Sequence, residues 1–287
     1  MIARIFGTNN AMLYPYIKLI IDENIGKRYF FMNQDEWQRI ILNSRSHGNK
    51  IFWIELLNRV HYASIVNLLR TKKWLDSISF SYENKNLLSF CSSMRGLIEF
   101  GADANFTFGA IPFHLAEEFA EIKSVFVGDR KEIIINQALE DALLHFSFAG
   151  KQTEKDERSK VNNAKQIKQY IEYSDRGGKL YDFYQYLSGF IHPSTESVIS
   201  YLEIEKHDIG EYLRIIEKDE KMINKLIYDN HRLFENILCL SIYPSLFNLK
   251  MLTMFEIEDF RCQSIMGLYY EQFDTWNEIK SRIKNYA

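Results

Sequence analysis

Helix-breaking residues are scarce along this chain, which has four prolines and 13 glycines among its 287 residues. β-sandwiches and β-barrels need many tight turns, and those turns draw heavily on glycine and proline. Long stretches instead repeat apolar residues at helical spacing, as in Ile51, Ile54, Leu57 and Ile65. The sequence therefore predicts an all-α fold, a multi-helix bundle of about nine to eleven helices with short connections and long C-terminal helices.

Composition and charge exclude several classes of protein. The chain is 46% hydrophobic with a net charge of −3, which excludes a wholly disordered chain and a broadly basic nucleic-acid surface. Its cysteines, Cys91, Cys239 and Cys262, are far apart and lack metal-ligand spacing. The chain contains no glycine-rich phosphate loop, nucleophile elbow or HExxH motif. We therefore expect no metal and no cofactor.

The same features bear on location. Three widely spaced cysteines favour a reducing, cytoplasmic compartment. The N-terminus lacks the pattern of a signal peptide, and the longest late uncharged run, 236–249, is too short to cross a bilayer. We expect a cytoplasmic protein with no membrane span.

Hydrophobic patterns and helix-breaking residues predict the organisation of the chain. We expect an N-terminal helical region (1–82), a helical core (83–202) and a C-terminal helical region (203–287) that packs on the core to form one compact unit. The alternation in 77–82 predicts a short strand or an extended linker. The hydrophilic stretch 150–160 is expected to be a loop or linker. The last third is expected to form helices at about 209–242, 245–255 and 257–284, with Pro244 kinking or breaking the first.

Arg95 and Glu99 lie four residues apart on a predicted helix, at the edge of its apolar stripe. One interpretation is a structural ion pair, and the other is a polar site built into a bundle. Arginine before glutamate is the less favourable order for a simple surface pair, so we expect tertiary partners for both side chains.

A second candidate lies in 184–194, where Tyr184, Ser188 and His192 share one helical face before Pro193. A histidine at a helix C-terminus meets the negative end of the dipole, which favours its protonated form. It is then suited to acid–base chemistry or to phosphate contact. The alternative is a histidine that only caps the last carbonyl groups.

His145, in a strongly apolar predicted helix, is a third candidate, and a buried core histidine is its alternative interpretation. The stretch 151–168 has a mild basic excess. Such a stretch suits either contact with a nucleic-acid backbone or a solvated helix face.

The ordered motifs RGLIE, LHF, a charged insertion and YDFYQYLSGFIHPS resemble the HEPN superfamily, over residues 83–202. The segment 187–194 carries most of this resemblance. It implies a HEPN-like helical core in a prokaryotic defence or toxin protein that forms a homodimer. Active members are metal-independent RNases with an arginine and a histidine in one motif. His192 matches that histidine, but Gln185, Tyr186 and Leu187 occupy the expected arginine positions, so Arg95 would supply the cation from another helix.

Three functions follow as hypotheses. As a ribonuclease, the protein would use His192 as acid or base, Arg95 to stabilise the phosphorane charge and Glu99 to orient Arg95. Tyr184, stacking on a base, would bind RNA substrate together with Ser188 and His145. The alternative is a non-catalytic interaction or sensor module, such as an antitoxin or scaffold, that acts through a partner protein from the same locus. A small-molecule or nucleotide sensor is a further alternative. The shared site requires Arg95 and His192 to lie within about one residue length of each other and to face a cleft open to solvent.

Overall fold

A computed structural model describes residues 1–128, 136–149, 163–175 and 177–283. Helices dominate these ranges, and the only sheet found in them is one antiparallel pair of strands. The predicted all-α class is confirmed. The sixteen α-helices of the described ranges outnumber the predicted nine to eleven because several have only four or five residues. The predicted loop or linker at 150–160 lies outside the described residues.

The helices before the hydrophilic stretch 150–160 are α1 (Ile2–Phe6), α2 (Thr8–Ala11), α3 (Leu13–Asn24), α4 (Gln34–Asn43), α5 (Arg45–Glu83), α6 (Leu87–Phe108), α7 (Ile111–Glu117), α8 (Phe119–Val127) and α9 (Gln137–Phe148).

The elements after it are α10 (Ile167–Ser174), α11 (Lys179–Ile191), α12 (Thr195–Ile199), β1 (Leu202–His207), β2 (Gly210–Ile215), α13 (Asp219–Asp229), α14 (His231–Met254), a 3-10 turn (Glu258–Phe260), α15 (Gln263–Met266) and α16 (Asp274–Arg282).

The chain divides into two compact units, each built from three segments of sequence. The first unit comprises Met1–Pro15, Arg70–Asp103 and Gln166–Ser241, and the second comprises Tyr16–Leu69, Ala104–Lys165 and Ile242–Ala287. Each of the three regions predicted from the sequence contributes to both units. The helices α5, α6 and α14 each have residues in both.

An aromatic cluster organises the core of the first unit. The ring of Phe234 lies 6.0 Å from Phe6, 6.3 Å from Phe90 and 5.6 Å from Phe183, between ring centroids. Phe90 belongs to α6 and Phe183 to α11, so one buried side chain holds these two helices side by side. Aromatic pairs at such distances add to the free energy of burying the rings.

The second unit has an aromatic core of its own. Phe247 packs on Tyr270, Phe273 and Trp276, with ring centroids between 6.0 and 6.3 Å apart. These residues come from α14, from the segment before α16 and from α16 itself. Burial of such large rings supplies much of the hydrophobic free energy of a small core.

The stretch 77–82 is helical, not a strand or linker as its alternation suggested, because α5 continues to Glu83. Leu75 and Ile78 are fully buried, and Ser81 continues this stripe at helical spacing with 2% of its surface exposed. The Ser81 hydroxyl donates to the carbonyl of Ser77 over 2.8 Å. A serine that satisfies its hydroxyl within the helix can occupy a buried position, and this hid the helical period from the sequence pattern.

The last third differs from the predicted three helices. Residues 202–215 form a hairpin in which Leu202 pairs with Ile215 and Ile204 with Leu213. The hairpin includes the first residues of the helix predicted at 209–242. Pro244 does not break α14, which continues past it to Met254. The supposed helix 257–284 is a 3-10 turn followed by α15 and α16, with a non-helical stretch between them.

In the described ranges, α14 is the one helix that is long and apolar enough to pass as a membrane span. Buried residues make up 67% of its most apolar stretch, as in the core helix of a folded domain. The helix is therefore no clear membrane span.

Candidate functional site

The helix α6 presents Arg95 at the edge of a buried stripe. Cys91, Met94 and Ile98 are 0 to 1% exposed, which anchors one face of the helix in the first unit. Gly96 lies against the Trp74 ring so closely that a Cβ there would be 2.6 Å from it. This tight contact fixes the rotation of α6 and hence the direction of the neighbouring Arg95 side chain.

The helix α11 delivers Tyr184 and His192 to the same place. The carboxylate of Asp175 accepts from the backbone N–H groups of Gly177, at 2.9 Å, and of Leu180, at 2.6 Å, at the start of this helix. A side-chain acceptor there satisfies donors that the helix itself leaves unpaired. The cap and the packing of Phe183 together orient the helix.

His192 ends α11, as predicted from the proline that follows it. Its N–H donates to the carbonyl of Ser188 over 3.0 Å, and its ψ angle is 156°. A residue before proline is pushed out of the helical region, so the chain turns extended there. The imidazole is therefore carried at an exposed helix end.

Four side chains form a polar cluster, the Arg95 cluster, which comprises Arg95, Glu99, Tyr184 and His192. Nη2 of Arg95 donates to the Tyr184 hydroxyl over 2.6 Å, and that hydroxyl donates to Oε1 of Glu99 over 2.8 Å. Nη2 of Arg95 also lies 3.7 Å from Oε1 of Glu99. The predicted tertiary partners of Arg95 and Glu99 are thus present, and Tyr184 bridges them.

Tyr184 is held as a neutral hydroxyl in this cluster. Burial raises its pKa above the ordinary value, and the hydrogen bond to Glu99 raises it further. The guanidinium carbon of Arg95 lies 4.5 Å from the centroid of the Tyr184 ring, where the π electrons attract a cation. Tyr184 therefore fixes Arg95 both by its hydroxyl and by its ring.

Arg95 also contacts His192, so the two residues are as close as a shared site requires. Nη1 of Arg95 lies 3.4 Å from Nε2 of His192. Because arginine has only donors, the pair forms a hydrogen bond in the tautomer in which Nε2 is the acceptor.

A cleft of about 500 Å³ opens beside His192 in the first unit. Its remaining walls combine apolar side chains with hydroxyl groups, and they are Leu88, Ser89, Ser92, Phe190, Ile191, Pro193, Ser197 and Tyr201. Its size is within the range of small-ligand sites. His192 is the residue that both lines this cleft and belongs to the Arg95 cluster.

Aromatic rings continue from the cluster along α11. Tyr181 stacks on Tyr184 with centroids 6.2 Å apart, and Nζ of Lys168 lies 5.3 Å from the Tyr181 centroid. Lys168 is half-exposed and pairs with Glu172 over 3.6 Å. Lys168 ends the basic stretch 151–168 noted in the sequence, whereas Tyr181 was missed as a site residue, although it lies one helical turn before Tyr184.

Three predicted site residues have other environments. Tyr184 was predicted to stack on a base, but it is 5% exposed and Arg95 lies over its ring, so little of the ring is accessible. The Ser188 hydroxyl donates a hydrogen bond to the carbonyl of Tyr184 over 2.8 Å, so its proton is used within the helix. His145 lies in the second unit, 8% exposed, with its ring 5.8 Å from Phe106.

Metal ligands do not cluster in the described ranges, where no group of three or more His, Cys, Asp or Glu side chains is arranged to hold an ion. The Arg95 cluster itself offers a guanidinium, an imidazole, a phenol and a carboxylate.

Comparisons of the chain with family models, curated proteins and solved structures give no match.

Proposed function

We propose that the protein is a metal-independent ribonuclease, of the prokaryotic defence or toxin kind that the HEPN resemblance implies. The observation that supports this proposal is the 3.4 Å contact between Nη1 of Arg95 and Nε2 of His192 at an exposed helix end. A guanidinium beside an imidazole nitrogen that can accept a proton suits the two tasks of RNA transesterification, which are charge stabilisation and proton removal.

The reaction would use the RNA's own 2′-hydroxyl. Nε2 of His192 accepts its proton while the 2′-oxygen forms a bond to phosphorus. The bond from phosphorus to the 5′-oxygen breaks, and a water molecule supplies the proton to the departing oxygen. The products are a 2′,3′-cyclic phosphate and a 5′-hydroxyl end, and His192 returns its proton to solvent.

Arg95 would stabilise the negative charge on the phosphorane. Only Nη2 is tied down, by Tyr184 and Glu99, and Nη1 faces His192. A guanidinium held in place before the reaction spends little free energy on reorganisation as charge develops. Tyr184 and Glu99 are positioning residues in this scheme.

The experiment compares wild type with His192→Ala on a labelled single-stranded RNA in the presence of EDTA. We expect wild type to cleave the RNA to cyclic-phosphate ends, and the variant to be slower by about 10²- to 10⁴-fold, the usual contribution of a general base. A DNA of the same base sequence stays intact because it lacks the 2′-hydroxyl.

His231→Ala is the matched control, because His231 is also exposed but lies outside the Arg95 cluster and its cleft. It should cleave RNA at the wild-type rate, and circular dichroism checks that every variant is folded. RNA left intact by wild type, or cut equally by His192→Ala, contradicts the ribonuclease proposal.

A protein-contact role has its own supporting observation, the β1–β2 hairpin. The aliphatic side chains Ile204, Leu213 and Ile215 share one face and are 43%, 62% and 84% exposed. Exposed apolar surface of this kind is typical of interaction sites. The same face ends in Lys206 and Glu211, with Nζ and Oε1 3.9 Å apart.

We propose that the occupant of this face is a second copy of the chain. In a two-fold contact, Lys206 of one copy can meet Glu211 of the other copy, and Glu211 of the first can meet Lys206 of the second. A face with one lysine and one glutamate is therefore complementary to itself. Leu213→Asp should convert a dimer to a monomer in light scattering. Glu205→Gln, on the opposite face, should leave the dimer intact, and a monomeric wild type contradicts the proposal.

The proposed compartment is the reducing cytoplasm. Cys91 and Cys262 are buried and form no disulfide. Buried thiols without disulfides are the usual state of cysteines in that compartment.

A further inference from the structure

A second cleft, in the second unit, has no part in the proposed ribonuclease. It encloses about 530 Å³ between the segment 27–32 and one face of α5. We call it the Lys50 cleft, and its lining comprises Lys27, Arg28, Phe30, Met32, His47, Lys50, Ile51, Ile54, Glu55, Asn58 and Asp259. The residues from α5 recur at helical spacing, so they form one continuous wall.

The floor of the Lys50 cleft is apolar. Ile51 and Ile54 are half-buried on α5, and Met32 is half-buried opposite them. The ring of Phe30 stands at the opening with 73% of its surface exposed. Most of the surface of this ring is therefore available to contact a ligand that lies on the apolar floor.

The charges at its edge are mostly positive. Arg28 and Lys50 are exposed and make no ion pair or hydrogen bond with any side chain in the described ranges. Lys27 lies deeper, where its Nζ donates to the backbone carbonyl of Asp259 and burial lowers its pKa. The carboxylates of Glu55 and Asp259 line the same cleft, and that of Asp259 offsets part of this lowering of the pKa of Lys27.

Glu55 is already engaged by the protein. Its Oε1 accepts from the backbone N–H of Met32 over 2.6 Å, which ties the two walls of the cleft together. The carboxylate therefore serves as a structural acceptor, while Arg28 and Lys50 remain available at the edge. The site thus combines an apolar floor, an aromatic ring and two unpaired cations, which is the arrangement that recognises an amphipathic anion.

We infer that the Lys50 cleft binds a small organic anion, an apolar or planar body that carries one carboxylate, sulfonate or phosphate group. The body lies on Ile51, Ile54 and Phe30. The anionic group meets Arg28 and Lys50, which form no ion pair within the part of the chain that the structure describes. A neutral apolar molecule would gain the floor but not this charge-assisted contact.

Two dyes that share one ring system separate these contributions. The anion 8-anilinonaphthalene-1-sulfonate and the uncharged N-phenyl-1-naphthylamine differ only in the sulfonate group, and both fluoresce when they leave water. We expect Arg28→Gln/Lys50→Gln to weaken binding of the anionic dye about tenfold, the scale of a lost charge-assisted contact, and that of the neutral dye less than about twofold.

Lys18→Gln/Arg39→Gln is the matched control, because both residues are exposed in the second unit and lie outside the cleft. It should bind both dyes as wild type does. Equal binding of the anionic dye by all three proteins would overturn the inference, as would equal losses for the two dyes in the Arg28/Lys50 variant.

Competition identifies the source of the anion. Decanoate represents an aliphatic carboxylate, and adenosine monophosphate represents a planar body with a phosphate. Displacement of the anionic dye by either compound supports the cleft as an organic-anion site and names the class. Displacement by neither at millimolar concentration overturns it.

Discussion

Arg95 and His192 lie 3.4 Å apart, between Nη1 and Nε2, although they are 97 positions apart in the chain. The contact exists because Phe90 on α6 and Phe183 on α11 both pack on Phe234. A buried aromatic core thus determines the geometry of an exposed polar pair.

Tyr184→Phe should destabilise the first unit. The change deletes a hydroxyl that accepts from Arg95 and donates to Glu99, while Tyr184 itself is 5% exposed. Loss of hydrogen bonds to charged partners costs about 1–3 kcal/mol of the free energy of unfolding. Urea denaturation measures the change.

Tyr228→Phe is the control for that measurement, because Tyr228 is 82% exposed and its hydroxyl has no partner in the described ranges. It should change the free energy of unfolding by less than about 0.5 kcal/mol. Equal stabilities of the Tyr184 variant and wild type would show that the bridge adds nothing to folding.

Gly96→Ala should be destabilising, although alanine is the better helix former by about 1 kcal/mol. The added Cβ would lie 2.6 Å from the ring of Trp74, and a rigid indole ring can yield only by moving as a whole. Overpacking of this kind costs about 1–3 kcal/mol. The midpoint of thermal unfolding should fall, while Gly210→Ala, with no atom within 4 Å, should leave it unchanged. A raised midpoint for Gly96→Ala would contradict the close contact.

His61 should make the protein less stable in acid. Its ring is fully buried, and that burial lowers its pKa from 6.5 to about 3, with a smaller contribution from Lys27. Between those values the unfolded chain binds a proton that the folded protein refuses, so stability is full above the unfolded pKa and falls as the pH drops. The loss between pH 7 and about pH 4.5 should be about 2–3 kcal/mol.

His61→Asn tests this dependence, because asparagine keeps a polar partner for the Tyr29 hydroxyl, which lies 2.6 Å from Nδ1 of the histidine. The variant is less stable at pH 7, and urea denaturation should show a shallower decline towards pH 4.5. Parallel declines for the two proteins would assign the acid sensitivity to other groups.

The cysteines should differ in reactivity. Burial raises the pKa of Cys91 and of Cys262 to about 12, so neither forms the reactive thiolate at pH 8. Cys239 is only half-buried. Ellman's reagent should therefore label at most one thiol in the native protein and all three in guanidinium chloride. Rapid labelling of two or more native thiols would contradict the burial of Cys91 or Cys262.

Sequence pattern predicted most helices because apolar residues recur at their period, and α11 ends where Pro193 required. The hairpin was missed although Leu202, Ile204 and the pairing segment alternate, because a short alternating run flanked by helical patterns is ambiguous. Its signal was the glycine at 210 between two such runs. Ser81, whose hydroxyl bonds inside the helix, concealed the continuation of α5.

For the candidate site, the sequence by itself determined that Arg95 and Glu99 share a helix face and that His192 ends another helix, since both follow from residue spacing and from proline. Only the tertiary structure decided that Tyr184 lies beneath Arg95 instead of facing a base, and that His145 belongs to the other unit. Spacing fixes which residues share a face of a helix. The packing of rings such as Phe234 fixes which faces meet, and that depends on contacts between residues far apart in the chain.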